Sequence, residues 1–523
     1  MKFAPVAKIA KQIAVLAAAV SLSAGAQANT LKMAYDADPV SLDPHEYNTT
    51  GTLQFSHLAF DPLVRWTRDL QFEPRLAESW ERTDDLTMRF NLRRGVKFHS
   101  GNTMTAADVC WTLARLKKSP DFKALYEPFV SCDEKGDYTA ELKTRKPFPL
   151  VLHLAAYIFP MDRKFYSGAD GNGGQKDAII KHGGSFASQN VSGTGPFIIT
   201  KRQQGVRMEL ARFADYWDAE SPGNVEKIIF TPIAKSATRV AALLSGDVDF
   251  IAPVPPNDLA RILRNRKINL ITLPGPRIIN FQLNQKRQPA FADSRVRLAI
   301  VYAVDNRAIA KKIMKGFATP AAQQSPQGYS GHNPKLKPRY DLAKAKALMA
   351  EAGYADGFTA SMMAPNNRYV NDARIAEAVA GMLGKIGIKI NLKTMPKAQY
   401  WPKFDERAAD IMMIGWLSDT QDSGNFSEFL LMCPDKETGY GQYNTGNYCN
   451  PTFDRLVLDV QSETNEKVRA IRLQKIEEIA HKEAAFVPLH WQNLAWAARK
   501  GVNIKPVVNV QNLPYLGDLV MEK

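Results

Sequence analysis

Cysteine is scarce in this chain. Only Cys110, Cys132, Cys433 and Cys449 occur among 523 residues, and no two of them stand as C-x-x-C. That argues against zinc ribbons and thioredoxin-like redox sites. Histidine is equally sparse. The eight are dispersed, and the closest pair, His481 and His490, does not share one helix face. H-E-x-x-H and the phosphate-cradling P-loop are missing. G-x-S-x-G is missing too, since Gly328-Tyr-Ser330-Gly-His332 fails at its last position. Past residue 28 no stretch approaches the ~20 apolar residues of a membrane helix. Membrane spans, common metal sites and the familiar nucleophile motifs are therefore not expected.

What remains is length and ordinary composition. A chain of 523 residues exceeds what one hydrophobic core serves, so at least two lobes are expected. Apolar content of 45% and charged content of 23% are those of a globular protein. Residues 1–28 read as a cleavable export signal, with Lys2, Lys8 and Lys11 ahead of the apolar run Ile13 to Val20. Ala26-Gln27-Ala28 is a small-x-small cleavage site and puts the mature start at Asn29, with no cysteine there to carry a lipid anchor. Of 68 basic and 53 acidic residues, three of the basic ones lie in the signal, leaving 65 against 53, a net +12. The basic residues are scattered. The clusters Arg261, Arg264, Arg266, Lys267 and Arg93, Arg94, Lys97 lack interleaved aromatics, so they read as solvated faces rather than a nucleic-acid surface. Export favours disulfides. The sequence-local pairing, Cys110–Cys132 with Cys433–Cys449, is one of three connectivities four cysteines allow.

Hydrophobic patterning gives an α/β chain. Leu31 to Tyr35 is a short strand, and Asn48-Thr49-Thr50-Gly51 is a polar loop opening a helix through Phe55 and Leu58. Residues 86–93 alternate as a half-buried strand, and Thr105 to Asp108 is a capping box ahead of a helix. The unit 63–184 is mixed and ends in the glycine-rich Gly168 to Gly184, where Asp170 to Gly174 reads as a surface loop. Ile228 to Thr231, a helix capped by Ser236, Gly246 and Val248 to Ile251 have the rhythm of a βαβ unit. Pro274 and Pro276 predict a break, with a lobe boundary near 274–284 and a strand from Ile278 to Leu283 beyond it. Helices follow around Val296, Leu348 and Val379, then a strand at Ile388 to Leu392 and another at Asp410 to Ile414. A late helix is expected to carry Val468, Ile471, Ile476 and Ile479 on one stripe.

The most informative stretch is Met413 to Phe426. An apolar strand stops at Gly415, Trp416 follows, and Asp419 stands three residues later in a turn-rich segment. An aromatic wall beside a fixed negative charge suits a ligand with an apolar body and a positive end. Asp419 and Asp422 also form a candidate acid/base pair, although a carboxylate in a turn is usually a turn former.

Several motifs, taken in order, resemble the solute-binding protein family 5 of ABC transporters. They are Ser41-Leu-Asp-Pro44, Pro74 to Trp80, Leu92 to Gly101, Ala106-Ala-Asp-Val109, Gly193-Thr-Gly-Pro196, Leu244 to Asp249, Val296 to Asp305 and Glu351-Ala-Gly-Tyr354. The resemblance spans nearly all of residues 31–500. It implies a two-lobed periplasmic binding fold of type 2 (large, cluster C-like), with two hinge strands and an extra subdomain in the first lobe. Residues 29–62, 185–275 and 488–523 would form the first lobe, 63–184 the extra subdomain and 276–487 the second lobe.

The stretch at 415–426 is similar to the dipeptide-binding branch. There the Asp matched by Asp419 holds the ligand's α-ammonium beside the pair matched by Gly415 and Trp416; Asp422, Asn425, Phe426 and the Cys433/Cys449 pair fit as well. The carboxylate-binding arginine of that branch is matched nearest by Arg368, next to Tyr369, at a shorter spacing to Ala376-Glu377. Thr49, Thr50 and Gly51 stand where the first lobe offers backbone groups, and Trp401 completes the expected ligand contacts. The resemblance thus implies a monomeric, non-enzymatic binder of small peptides that needs no cofactor, metal or nucleic acid and serves an inner-membrane permease from the periplasm. Still open beside it are another solute (a nickel chelate, an opine, glutathione or a sugar) and an exported hydrolase using Asp419 and Asp422.

Overall fold

The computed structural model describes residues 29–171 and 173–522. The expected export signal at 1–28 lies outside the described residues.

Strand β1 (Thr30–Tyr35) buries Leu31, Met33, Ala34 and Tyr35, as befits a central strand between parallel neighbours, and exposes only Lys32. Helix α1 (Thr50–Ala59) starts on Thr49, whose hydroxyl accepts the Thr52 N–H. A separate antiparallel sheet follows, built from β2 (Ala77–Asp84), β3 (Thr87–Leu92), β4 (Phe129–Glu134) and β5 (Thr139–Thr144) in the order β2-β3-β5-β4. Met88, Phe90 and Leu92 point inward along β3, the alternation expected of it. Helix α2 (Ala106–Leu116) opens on the Thr105/Asp108 capping box and is stapled to β4 by the Cys110–Cys132 disulfide.

The chain then returns to the main sheet with β6 (Phe197–Gln203), β7 (Arg207–Arg212), β8 (Lys227–Phe230), helix α3 (Ser236–Ser245) and β9 (Phe250–Ala252). β8 and β9 both pair parallel with β1, which lies between them, so the expected βαβ unit straddles the first strand. Its helix starts one residue earlier than expected. Lys235 holds the cap position and Ser236 is the first helical residue.

Strand β10 (Ile268–Leu283) runs through Pro274 and Pro276, where a break was expected. Its register against its partner slips between Leu273 and Arg277, so the prolines' missing N–H donors fall where the ladder is already interrupted. Gly275 is needed there, because a Cβ would come within 1.9 Å of the Gln492 carbonyl oxygen. The remaining elements are α4 (Ser294–Ala303), α5 (Leu342–Glu351), β11 (Phe358–Pro365), α6 (Asp372–Gly384), β12 (Ile388–Met395), α7 (Lys397–Asp405), β13 (Ile411–Trp416), α8 (Ser423–Leu430), α9 (Pro451–Gln461), α10 (Glu466–Lys482) and β14 (Val487–Arg499).

The main sheet has the order β12-β11-β13-β10-β14-β9-β1-β8-β7-β6 and is mixed. The long antiparallel pair β10 and β14 sits at its centre. β13 pairs with the later half of β10, and β9 pairs with the end of β14. The two lobes are joined through this strand pair.

Helix α10 corrects the sequence reading. Val468 and Ile471 are exposed, at 37% and 66%, while Arg469, Leu473, Ile476, Glu477 and Ala480 are buried. Polar ties turn the helix. Arg469 pairs with Asp422, and Glu477 accepts the N–H groups of Gln324 and Ser325.

Candidate functional site

β13 delivers the site. Met412, Met413 and Ile414 anchor it in the core. Gly415 is required by close packing, since a Cβ would lie 2.6 Å from both Ile279 Cδ1 and Tyr369 Cε1. Trp416 comes next, its ring stacked on Phe429 at 5.0 Å and against Tyr443 at 5.0 Å. The Trp416 indole N–H donates to Asn425 Oδ1 at 2.8 Å, and the same oxygen accepts the Asp419 N–H at 3.2 Å. The turn therefore has one shape, and it presents the Asp419 side chain.

Asp422 is committed elsewhere. Its carboxylate accepts the N–H groups of Gly424 and Asn425 as the cap of α8, and pairs with Arg469 at 2.5 Å. With both oxygens engaged and the residue 2% exposed, it is not a free acid or base, and the candidate Asp419/Asp422 pair does not form.

Asp419 itself is buried without an ion-pair partner among the described residues. Its Oδ2 accepts the Asn48 side-chain N–H at 2.9 Å, from the other side of the cleft. Burial raises its pKa from 3.8 to about 6, against the pull of hydrogen bonding from Asn48, Asn425 and Tyr157. A carboxylate held this way gains most from a cation brought to it.

Two adjoining cavities fill the cleft. One is lined by Asn48, Thr49, Thr50, Trp401, Gly415, Trp416 and Asp419, among others. A second, larger one is lined by Asp36, Gly51 and Lys397, among others. Thr50, Arg277 and Arg368 line both. Of the site residues expected from sequence, Thr49, Thr50, Gly51, Arg368, Trp401, Gly415, Trp416 and Asp419 reach these walls, whereas Tyr369 and Asp422 do not. Tyr369 stands behind them, with Arg368 over its ring at 4.9 Å and its hydroxyl 3.4 Å from the Gly415 carbonyl oxygen. It lines a third, neighbouring cavity with Asp36 and Asp372.

Two cations were missed in the sequence. Arg277 interrupts the apolar face of β10, is 4% exposed, and donates to Thr50 Oγ1 with no ion-pair partner among the described residues. Burial pushes its pKa down to about 9, and Arg368 pushes the same way. Lys397, at the start of α7, has its Nζ 3.8 Å from where a Gly51 Cβ would be. Burial lowers it to about 8, with Asp36 opposing and Arg368 assisting. The only signal of Arg277 was a lone charge in an apolar strand; Lys397 had none.

Polar contacts centred on Asp121, which lines neither cavity, shut the cleft. Asp121, fully buried, accepts the Asn48 backbone N–H at 3.2 Å, the Gln442 side chain at 2.7 Å and the Tyr443 hydroxyl, and pairs with Lys181 at 2.8 Å. Gln442 and Tyr443 ride on the loop closed by the Cys433–Cys449 disulfide, whose Cα atoms are 4.4 Å apart. Among the described residues no three His, Cys, Asp or Glu side chains gather in a metal-holding group.

The chain matches the family model for bacterial extracellular solute-binding proteins, family 5 Middle, over residues 71–438. It is 29% identical over 462 residues to the heme-binding protein A of Haemophilus influenzae, covering 83% of this chain and 82% of that protein. To the dipeptide-binding protein of Escherichia coli K12 it is 26% identical over 513 residues, 92% of this chain and 93% of that one. The crystal structure of a dipeptide binding protein from Pseudoalteromonas sp. SM9913 in complex with Met-Leu has the same fold. Its TM-score is 0.85 at 22% identity, covering 94% of this chain and 100% of that chain.

Proposed function

The chain belongs to the family 5 bacterial extracellular solute-binding proteins of ABC importers, and from that membership we propose that it captures di- or oligopeptides and hands them to an inner-membrane permease. Proteins of this family are periplasmic, and its relatives are substrate-binding proteins rather than enzymes. The reading places this chain in the periplasm as a cleaved, soluble monomer.

One observation carries the peptide reading. A buried carboxylate, Asp419, lines the smaller cavity, and two arginines, Arg277 and Arg368, line both cavities, none of the three with an ion-pair partner among the described residues. A zwitterion satisfies both. Its α-ammonium meets Asp419, Trp416 packs on its backbone, and its carboxylate meets the arginines, each a charge-assisted contact in a water-poor site. Wet side-chain pockets leave sequence selectivity broad. The ligand binds the closed arrangement better and shifts the population toward it by bending at β10 and β14. Residues 29–62, 185–275 and 488–523 then move as one lobe with 63–184 attached, and 276–487 as the other.

The test is calorimetry with free and N-acetylated dipeptides, alongside native mass spectrometry of the purified protein for retained ligand. The expected result is stoichiometric binding of free peptides and loss of it on acetylation. Equal affinity for the blocked peptides would overturn the amine anchor, and turnover of the peptide would overturn the binder reading.

A further inference from the structure

The charges lining the cleft do not cancel. Three cations line the two cavities, Arg277, Arg368 and Lys397, against two carboxylates, Asp36 and Asp419. None of the three cations has an ion-pair partner among the described residues. A neutral zwitterion brings one charge of each sign and leaves that surplus as it was. Closing the lobes over an uncompensated charge is costly, because the low-dielectric interior replaces its hydration with nothing of opposite sign.

The placement of the surplus is specific. Arg277 and Arg368 touch both cavities and share the smaller one with Asp419. Lys397 touches only the larger cavity, beside the first turn of α1, which carries Thr50 and Gly51 and no acidic residue. The positive end of that helix favours an anion at the same place. Asp36 is the one acid lining the larger cavity, and it forms no ion pair among the described residues.

Resting on the peptide reading above, we propose that the preferred ligand is a peptide of net charge −1. Its α-ammonium sits on Asp419, its α-carboxylate on Arg277 and Arg368, and a second carboxylate, from an Asp or Glu side chain at its carboxyl end, enters the larger cavity and meets Lys397. Such a ligand brings the closed cleft to neutrality. Lys397 acts as the selectivity residue.

The experiment is calorimetry at pH 7 with Ala-Glu, Ala-Gln and Ala-Lys on the full mature chain and on Lys397→Met, with melting curves to confirm that the variant folds. The wild-type protein is expected to bind Ala-Glu about 30-fold more tightly than Ala-Gln, the scale of one charge-assisted contact, with Ala-Lys weakest. In Lys397→Met that preference is expected to fall below about threefold. Equal wild-type affinities for Ala-Glu and Ala-Gln, a result that needs no variant, would overturn the proposal. So would a preference that survives in Lys397→Met. If no peptide binds at all, the peptide reading fails, and the second-anion site is judged on glutarate instead. A glutarate-dependent rise in melting temperature that Lys397→Met removes supports the site, and no rise overturns it.

Discussion

Replacing Asp419 by Asn keeps the shape of the side chain and an acceptor for the Asn48 N–H, and removes the charge alone. Two effects of opposite sign follow. In the unliganded protein the carboxylate is disfavoured, since burial lifts its pKa from 3.8 to about 6. That difference corresponds to about 3 kcal/mol at neutral pH. A carboxyl group whose folded pKa is raised supports the fold fully below its unfolded pKa, and the support is lost as pH rises through about 6. Asp419→Asn should therefore stabilise the empty protein at pH 7, by up to about 3 kcal/mol, and leave it unchanged at pH 4. Binding moves the other way. A ligand ammonium left facing an amide loses ~2–5 kcal/mol, roughly 30- to 4,000-fold in affinity. The wild-type affinity should also fall as pH drops through about 6, while the variant's stays flat across that range. Urea unfolding of the empty proteins at pH 4 and 7, with calorimetry from pH 5 to 8, reads both effects. Binding within threefold of wild type, or an empty variant that unfolds more easily than wild type at pH 7, would refute the reasoning.

Three further outcomes are expected. Asp422→Ala strands Arg469 in the core and uncaps α8, so urea unfolding should show a loss of ~3–5 kcal/mol; a loss under about 1 kcal/mol would contradict the structural role given to Asp422. Gly415→Ala forces a methyl group against Ile279 and Tyr369 and should cost ~1–3 kcal/mol, and a crystal structure of the variant should show β13 displaced. Converting Cys433 and Cys449 to Ser removes a 16-residue closure and should cost about 3 kcal/mol in denaturant unfolding, with no change when the wild type is compared under reducing conditions.

Legibility in the sequence followed how local each signal was. The Thr105 capping box rests on contacts within a few residues and stands as patterned, and the strand expected to stop at Gly415 is present and runs on through Trp416. The lobe pair is not visible in periodicity, because β10 and β14 are joined by partners more than 200 residues apart at the far end of their ladder. Pro274 and Pro276 read as a break because a proline's missing donor is visible, whereas the register slip that tolerates it exists only in the pairing with a strand more than 200 residues away. On α10 the apolar residues were counted and the polar ties were not, yet Arg469 and Glu477 decide which face is buried. The site divided the same way. Gly415, Trp416 and Asp419 come from one stretch, whereas Arg277 and Lys397 reach the cleft from two other elements and meet Thr50 and Gly51 there.

The Asp121 cluster has a kinetic meaning. Asp121 lines neither cavity of the cleft, yet it holds Asn48 from one side and Gln442 and Tyr443 from the other. Its bonds to Gln442 and Tyr443 must break each time the cleft opens, whatever is inside. They therefore lengthen the residence time of every cargo by a common factor, while the charges of the cavities set the ranking among cargoes. Dwell time and discrimination are assigned to different carboxylates, so one can be retuned through Asp121 while the order of preference stays put.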